Sequence, residues 1–214
     1  MAQFAFFYDQ SRCNGCKTCQ MACKDFHDMS PERTFVRVIE FETVDGEWKA
    51  DDSGCYAAPA LTSYFHQLSC NHCDDPACVK ACPKGACTKD PDTGIVFIDP
   101  EICTGVKACA KACPYAQPTP AEDGNRCEKC DGCKDRLAEG LLPLCVEACP
   151  QRALTCGDAK DVPEGYERAK FAPLPDPEET HPNFYVKPCR NALPFDSDAG
   201  WIANKPEVNA PEEN

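Results

Sequence analysis

The sequence predicts an α+β chain in which short strands and short helical turns are strung between cysteine-rich loops. Three observations lead there. Twenty of the 214 residues are cysteine, and fifteen of these fall into four blocks with a shared spacing. The runs between the blocks are apolar or alternating and have strand length and composition. The helix-like segment, Lys134 to Gly140, is short and lies inside the fourth block.

Taken in order, Phe4 to Tyr8 is an aromatic run that reads as a buried strand leading to block one: Cys13, Cys16, Cys19 and Cys23. Thr34 to Thr43, TFVRVIEFET, alternates apolar and polar residues and predicts a half-buried strand. Val44 to Glu47 supplies a turn, Trp48 opens a candidate return strand, and Ala50 to Gly54 is loop-like. Tyr64 to Leu68 leads into block two: Cys70, Cys73, Cys78 and Cys82-Pro83. GIVFID, Gly94 to Asp99, is another short strand ended by Pro100, and block three follows as CTGVKACAKACP, with Cys103, Cys109 and Cys113-Pro114. Pro118 to Gly124 reads as a linker to block four: Cys130, Cys133, Cys145 and Cys149-Pro150. Asp161 to Asn214 is rich in Pro, Glu and Asn, as disordered tails are. It keeps Phe184, Tyr185, Val186, Phe195, Trp201 and Ile202, which favours an ordered extended arm lying on this chain or on a partner.

Charge and length exclude some classes. Lys plus Arg is 22 against 35 Asp plus Glu, a net charge of -13, so the basic footprint of a nucleic-acid binder is missing. No apolar run reaches the roughly 20 residues of a membrane span. MAQFAFFYDQ lacks a basic leading region and its apolar run is short, so it reads as a strand and not a signal peptide.

Cysteine at this density admits disulfides, zinc knuckles or iron–sulfur clusters, and spacing decides among them. In every block the last two cysteines are separated by three residues. In three of the four, the first two are separated by two residues, and in three the last is followed by Pro. Only the second gap varies: two, four and eleven residues in the three intact blocks, as an insertion at a tolerated loop would. Zinc knuckles predict isolated C-x2-C pairs or His partners, not a trailing C-x3-C-P. The pattern is that of bacterial cluster-binding loops, where three close thiolates wrap one cluster and the C-P cysteine serves another. The repeat leaves Cys55, Cys87, Cys127, Cys156 and Cys189 outside the ligand set, as ordinary thiols. Cys127 also reads as the head of a C-x2-C-x2-C run, but that register abandons the x3 spacing of Cys145 and Cys149. His27, His66, His72 and His181 are scattered and expected at the surface or in local hydrogen bonds, and Gly15, Gly105 and Gly132 are expected to let backbone N–H groups approach cluster sulfurs.

From Phe4 to Thr155 the chain resembles the four-cluster ferredoxin-type subunits of molybdopterin oxidoreductases, in particular the iron–sulfur subunit of dimethyl sulfoxide reductase. SRCNGCKTCQMACKD, SCNHCDDPACVKACPKGA, the CPYA after block three and KCDGCKDRLAEGLLPLCVEACPQRAL carry the resemblance, and NFYVKP extends it into the tail. It implies two pseudo-twofold bacterial-ferredoxin-like modules with β-hairpin insertions: 1–66 with 116–160, and 67–115, followed by the arm 161–214. It also implies ligand sets. Cluster one would use Cys13, Cys16, Cys19 and Cys149; cluster two Cys70, Cys73, Cys78 and Cys113; cluster three Cys103, Cys109 and Cys82; cluster four Cys130, Cys133, Cys145 and Cys23.

Val106 stands where that family has a Cys. Related nitrate reductase subunits also replace this Cys and carry a 3Fe–4S cluster there. The expectation is therefore three 4Fe–4S clusters and one 3Fe–4S cluster of raised potential. A spare Cys or water keeping a fourth iron is the other reading.

With no Ser/His/Asp grouping, P-loop or Rossmann glycine run, the expected role is relay rather than catalysis. The resemblance implies electron transfer between a membrane anchor that oxidises quinol and a molybdopterin catalytic subunit reducing an S-oxide or N-oxide. The same relay serves polysulfide, thiosulfate, tetrathionate, nitrate, formate and aromatic-dehydroxylation enzymes. A free soluble ferredoxin carrier is the reading from another class. Location is expected to be peripheral on the cytoplasmic membrane, on its outer face by export with a large subunit, or else on the cytoplasmic face.

Overall fold

The computed structural model describes residues 3–45, 49–57 and 60–208. The first strand, β1 (Phe4–Asp9), is buried along its whole length. Helix α1 (Thr18–Phe26) carries the end of block one. β2 (Arg37–Asp45) follows, then the two-residue strands β3 (Lys49–Ala50) and β4 (Tyr56–Ala57), then β5 (Ala60–Leu68). Block two contains the single-turn helix α2 (Ala77–Lys80), followed by the hairpin strands β6 (Cys87–Lys89) and β7 (Val96–Ile98). Block three ends in α3 (Ala108–Ala112), and a second small hairpin, β8 (Thr119–Pro120) and β9 (Cys127–Glu128), joins it to block four. That block holds α4 (Lys134–Ala138) and α5 (Leu144–Glu147). β10 (Leu154–Asp158), β11 (Glu167–Arg168), β12 (Phe184–Lys187), β13 (Trp201–Ile202) and α6 (Lys205–Val208) complete the fold.

The central sheet has the order β10-β1-β12-β11. β1 runs antiparallel to β10 and parallel to β12, so both of its edges are paired. Alternation sends its side chains to opposite faces. Phe4, Phe6 and Tyr8 enter the main core with Phe184, Val186 and many of the thiols. Ala5 and Phe7 pack on the other face against Tyr185, Val162 and Tyr166. Each buried aromatic of this kind is worth about 1.5–3 kcal/mol relative to exposure.

Three readings differ from this architecture. The C-terminal segment is more than an arm: β11 and β12 belong to the central sheet, and β13 pairs with β2. The alternating strand of the sequence pairs with β5, in register from Arg37↔Leu68 to Asp45↔Ala60. Gly46 to Trp48, where the turn and the start of a return strand were expected, lie outside the described residues. The expected linker after Pro118 forms the β8–β9 hairpin, with Pro120 opposite Cys127.

Helix α1 packs on α5, and α2 packs on α3. Block one therefore meets block four, and block two meets block three. The smaller core between blocks two and three contains Cys78, Cys87, Val96, Cys109 and Cys127.

Candidate cluster-binding sites

Each block opens with a turn whose third residue has positive φ: Gly15 (70°), His72 (45°), Gly105 (67°) and Gly132 (69°). Blocks one and three match further, since Lys17 (58°) and Lys107 (61°) are also left-handed, just before their helices. Val106 thus occupies the backbone place of Cys16. Glycine at 105 is required twice over. A side chain is strained at its φ, and a Cβ there would lie 2.5 Å from the Asn125 carbonyl oxygen.

The blocks close crosswise. Cys13, Cys16, Cys19 and Cys149 line one cavity with Tyr8 and Val38. Cys23, Cys130, Cys133 and Cys145 line a second. Cys73 interacts electrostatically with Cys70, Cys113 and Cys78, which forms a third set. Cys82, Cys103 and Cys109 line a further cavity with Val106 and, unexpectedly, Cys127. The x3 spacing explains the crossing. Residues i and i+4 lie on one helical face, so each pair hands one thiol to each of two neighbouring sets. The sets numbered by block follow a line. Cys19 of set one interacts with Cys23 and Cys145 of set four, Cys130 of set four with Cys70 of set two, and Cys78 of set two with Cys109 of set three.

Residues 61–159 match the family model of a 4Fe-4S dicluster domain, and residues 4–25 that of a 4Fe-4S binding domain. The sequence is 44% identical to the B subunit of anaerobic dimethyl sulfoxide reductase from Escherichia coli, over 96% of this protein and 98% of that one. It is 41% identical to the B subunit of the Haemophilus influenzae enzyme, over 97% and 100%. The protein belongs to the family of dimethyl sulfoxide reductase B subunits. It is also 36% identical to protein NrfC of Escherichia coli, over 74% of this protein and 67% of that one. As a member of that family it is an electron-transfer iron–sulfur subunit.

The donor chemistry fits such clusters. Burial, with repulsion from neighbouring thiols, pushes Cys19, Cys23 and Cys73 up to about 12 and Cys113 up to about 11. Iron offsets that repulsion by binding the sulfurs as thiolates in place of protons. Bound clusters supply the one-electron chemistry, and the protein holds and tunes them. Gly132 donates its N–H to the Cys130 sulfur at 3.5 Å, and Cys87 donates its own to the Cys82 sulfur at 3.3 Å. Burial pushes the Cys82 thiol up, but backbone N–H groups of Cys87, Lys84, Ala86 and Gly85 outweigh it and hold the thiol below its ordinary value. Gly15 plays the same part toward Cys13. At Gly105 an added Cβ would meet the Asn125 backbone.

Two features had no signal in the sequence. Lys129 is buried, and its ammonium donates to the Cys70 sulfur at 3.4 Å, to the Cys130 carbonyl at 2.8 Å and to the Val96 carbonyl. Burial pulls that ammonium down, but the thiols of Cys70, Cys130, Cys78 and Cys87 outweigh it and leave it above its ordinary value. Two of the four histidines also depart from expectation, whereas His181 is exposed as expected. His66 and His72 are fully buried, and His72 Nδ1 accepts the Val96 N–H at 3.0 Å. His27 Nδ1 or Nε2, Asp131 and Cys133 come within 4.8 Å of one another, beside set four. Of the thiols left outside the repeat, Cys55 is exposed, Cys156 and Cys189 are half-buried, and Cys87 and Cys127 are buried.

Proposed function

We propose that this protein relays electrons through four iron–sulfur clusters between a quinol-oxidising membrane anchor and a molybdopterin catalytic subunit that reduces an S-oxide or N-oxide. The observation that carries it is the line of thiol sets, one–four–two–three, in which each set meets the next. Set one holds a cluster on Cys13, Cys16, Cys19 and Cys149, set two on Cys70, Cys73, Cys78 and Cys113, and set four on Cys130, Cys133, Cys145 and Cys23. Each is a 4Fe–4S complement. Set three has the three motif thiols Cys103, Cys109 and Cys82, the complement of a 3Fe–4S cluster, with Cys127 beside them.

The packing of α1 on α5 and of α2 on α3 supports two ferredoxin-like modules related by a pseudo-twofold axis. Both ends of the line are accessible: Cys16 is exposed at set one, and the apolar side chains of Ile102 and Val106 are exposed at set three. Such ends suit docking to a subunit on either side. Among the described residues no helix is long and apolar enough to cross a membrane. The anchor would therefore be another polypeptide, with this one held peripherally on the outer face of the cytoplasmic membrane. The relatives' name, as subunits of a dimethyl sulfoxide reductase, supports both the partnership and the substrate class.

Native purification tests the reading. A co-purifying molybdopterin subunit that reduces dimethyl sulfoxide is the expected result. A large subunit acting on polysulfide, thiosulfate, tetrathionate, nitrate, formate or aromatic hydroxyl groups would move the relay to another enzyme. A stable lone monomer that shuttles electrons would replace the relay with a soluble carrier.

A further inference from the structure

We propose that Cys127 is the fourth ligand of cluster three, so that this cluster is 4Fe–4S in spite of Val106. The inference rests on the four-cluster reading and changes one of its clusters. Valine cannot bind iron, and on the motif alone the corner it faces would lose its iron. The cavity of set three, however, is lined by four thiols: Cys82, Cys103, Cys109 and Cys127. The cavities of sets four and one are likewise each lined by four thiols.

Cys127 is held there by its backbone. It sits in β9 opposite Pro120, is 2% exposed, and donates its N–H to the Cys103 sulfur at 3.3 Å. Its side chain interacts with that of Cys109 and, electrostatically, with that of Cys103. The preceding residues are pinned as well, since the Gly105 loop approaches the Asn125 backbone so closely that only glycine fits. Cys87 is the competing spare thiol. Its N–H donates to the Cys82 sulfur at 3.3 Å, but its side chain interacts with that of Cys78, a set-two thiol, and it does not line the set-three cavity. Among the spare thiols only Cys127 joins the four-sulfur ring.

The chemistry is ligand exchange without a redox change. The Cys127 thiol binds the fourth iron as a thiolate and releases its proton to solvent. The ligand has moved from the cluster's own loop to the neighbouring hairpin, leaving the exposed corner at Val106 apolar.

The test is electron paramagnetic resonance, Mössbauer spectroscopy and iron counting on the anaerobically purified complex, oxidised and reduced. Oxidised wild type is expected to show no 3Fe–4S signal. Cys127→Ala is expected to gain that signal at one spin per polypeptide and to lose one iron. Val106→Cys in the Cys127→Ala background rebuilds the C-x2-C-x2-C run and is expected to restore the silent spectrum and the iron. A filler role for Cys127 would not be rescued this way. Cys87→Ala is expected to leave the oxidised spectrum silent. A stoichiometric 3Fe–4S signal in oxidised wild type would overturn the proposal, even if no variant folded. So would a silent Cys127→Ala protein with full iron. Absence of the reduced 4Fe–4S signals of sets one, two and four would instead sink the four-cluster reading.

Discussion

The ammonium of Lys129 lies 3.4 Å from the sulfur of Cys70, and both residues are buried. The same ammonium reaches the carbonyl of Cys130, a set-four residue. A fixed positive charge therefore stands between two adjacent cluster sites.

Such a charge favours the reduced form of each cluster. Lys129→Met should lower the potentials of the clusters at sets two and four, by on the order of 100 mV or less for one charge at such distances in a partly polar interior. Redox titration followed by electron paramagnetic resonance reads this. Unchanged potentials in a variant with full iron would show that the charge is screened.

Crosswise closure makes ligand loss appear in the distant block. Cys149→Ser, in block four, should remove the cluster of block one, and Cys23→Ser, in block one, that of block four. Reduced spectra of the two variants should lose different signals. If each lost the cluster of its own block, the crossing assignment would fail.

Gly105 and Gly85 separate strain from collision. Both have positive φ, 67° and 68°, but a Cβ at 105 would meet the Asn125 backbone at 2.5 Å whereas one at 85 meets nothing within 4 Å. Gly85→Ala should cost about 1 kcal/mol, the backbone penalty alone. Gly105→Ala should cost more, roughly 2–4 kcal/mol, by displacing the hairpin that carries Cys127. Denaturant unfolding compares the two, and equal losses would argue against the close approach.

His66 gives a pH dependence of known sign. Burial pushes it down to about 3, and neither ring nitrogen has a hydrogen-bond partner among the described residues. The unfolded protein takes up a proton near pH 6.5, which the folded one refuses until about pH 3. Its contribution is thus complete above pH 6.5 and is lost as pH falls toward 3, by about 1.4 kcal/mol per pH unit. His66→Phe keeps a ring against Tyr8 and Phe184, whose centroids lie 5.4 and 5.6 Å from that of His66. It should flatten the acid limb of stability by one proton. An acid limb identical to wild type would show that His66 is not buried neutral.

The cysteine repeat is local, and so it is legible: ligands three and four residues apart must share one loop or one helical face. The strands at Phe4 and Arg37 were legible for the same reason, since alternation and aromatic runs are properties of a few adjacent residues. The tail hid its role because β11, β12 and β13 are two to four residues long, too short for a period to show; β12 and β13 are made strands by pairing with β1 and β2, and β11 by pairing with β12. Lys129 carried no signal because a buried lysine looks like any other until its neighbours are known.

The sequence by itself determined the four thiol blocks, the family and the gap at Val106. Only the tertiary structure decided which thiols share a cavity, since that depends on α1 meeting α5 and α2 meeting α3. It also decided what faces the gap. Cys127 is far from Val106 in sequence, and only the fold of the β8–β9 hairpin against the block-three loop brings it to the same ring of sulfurs.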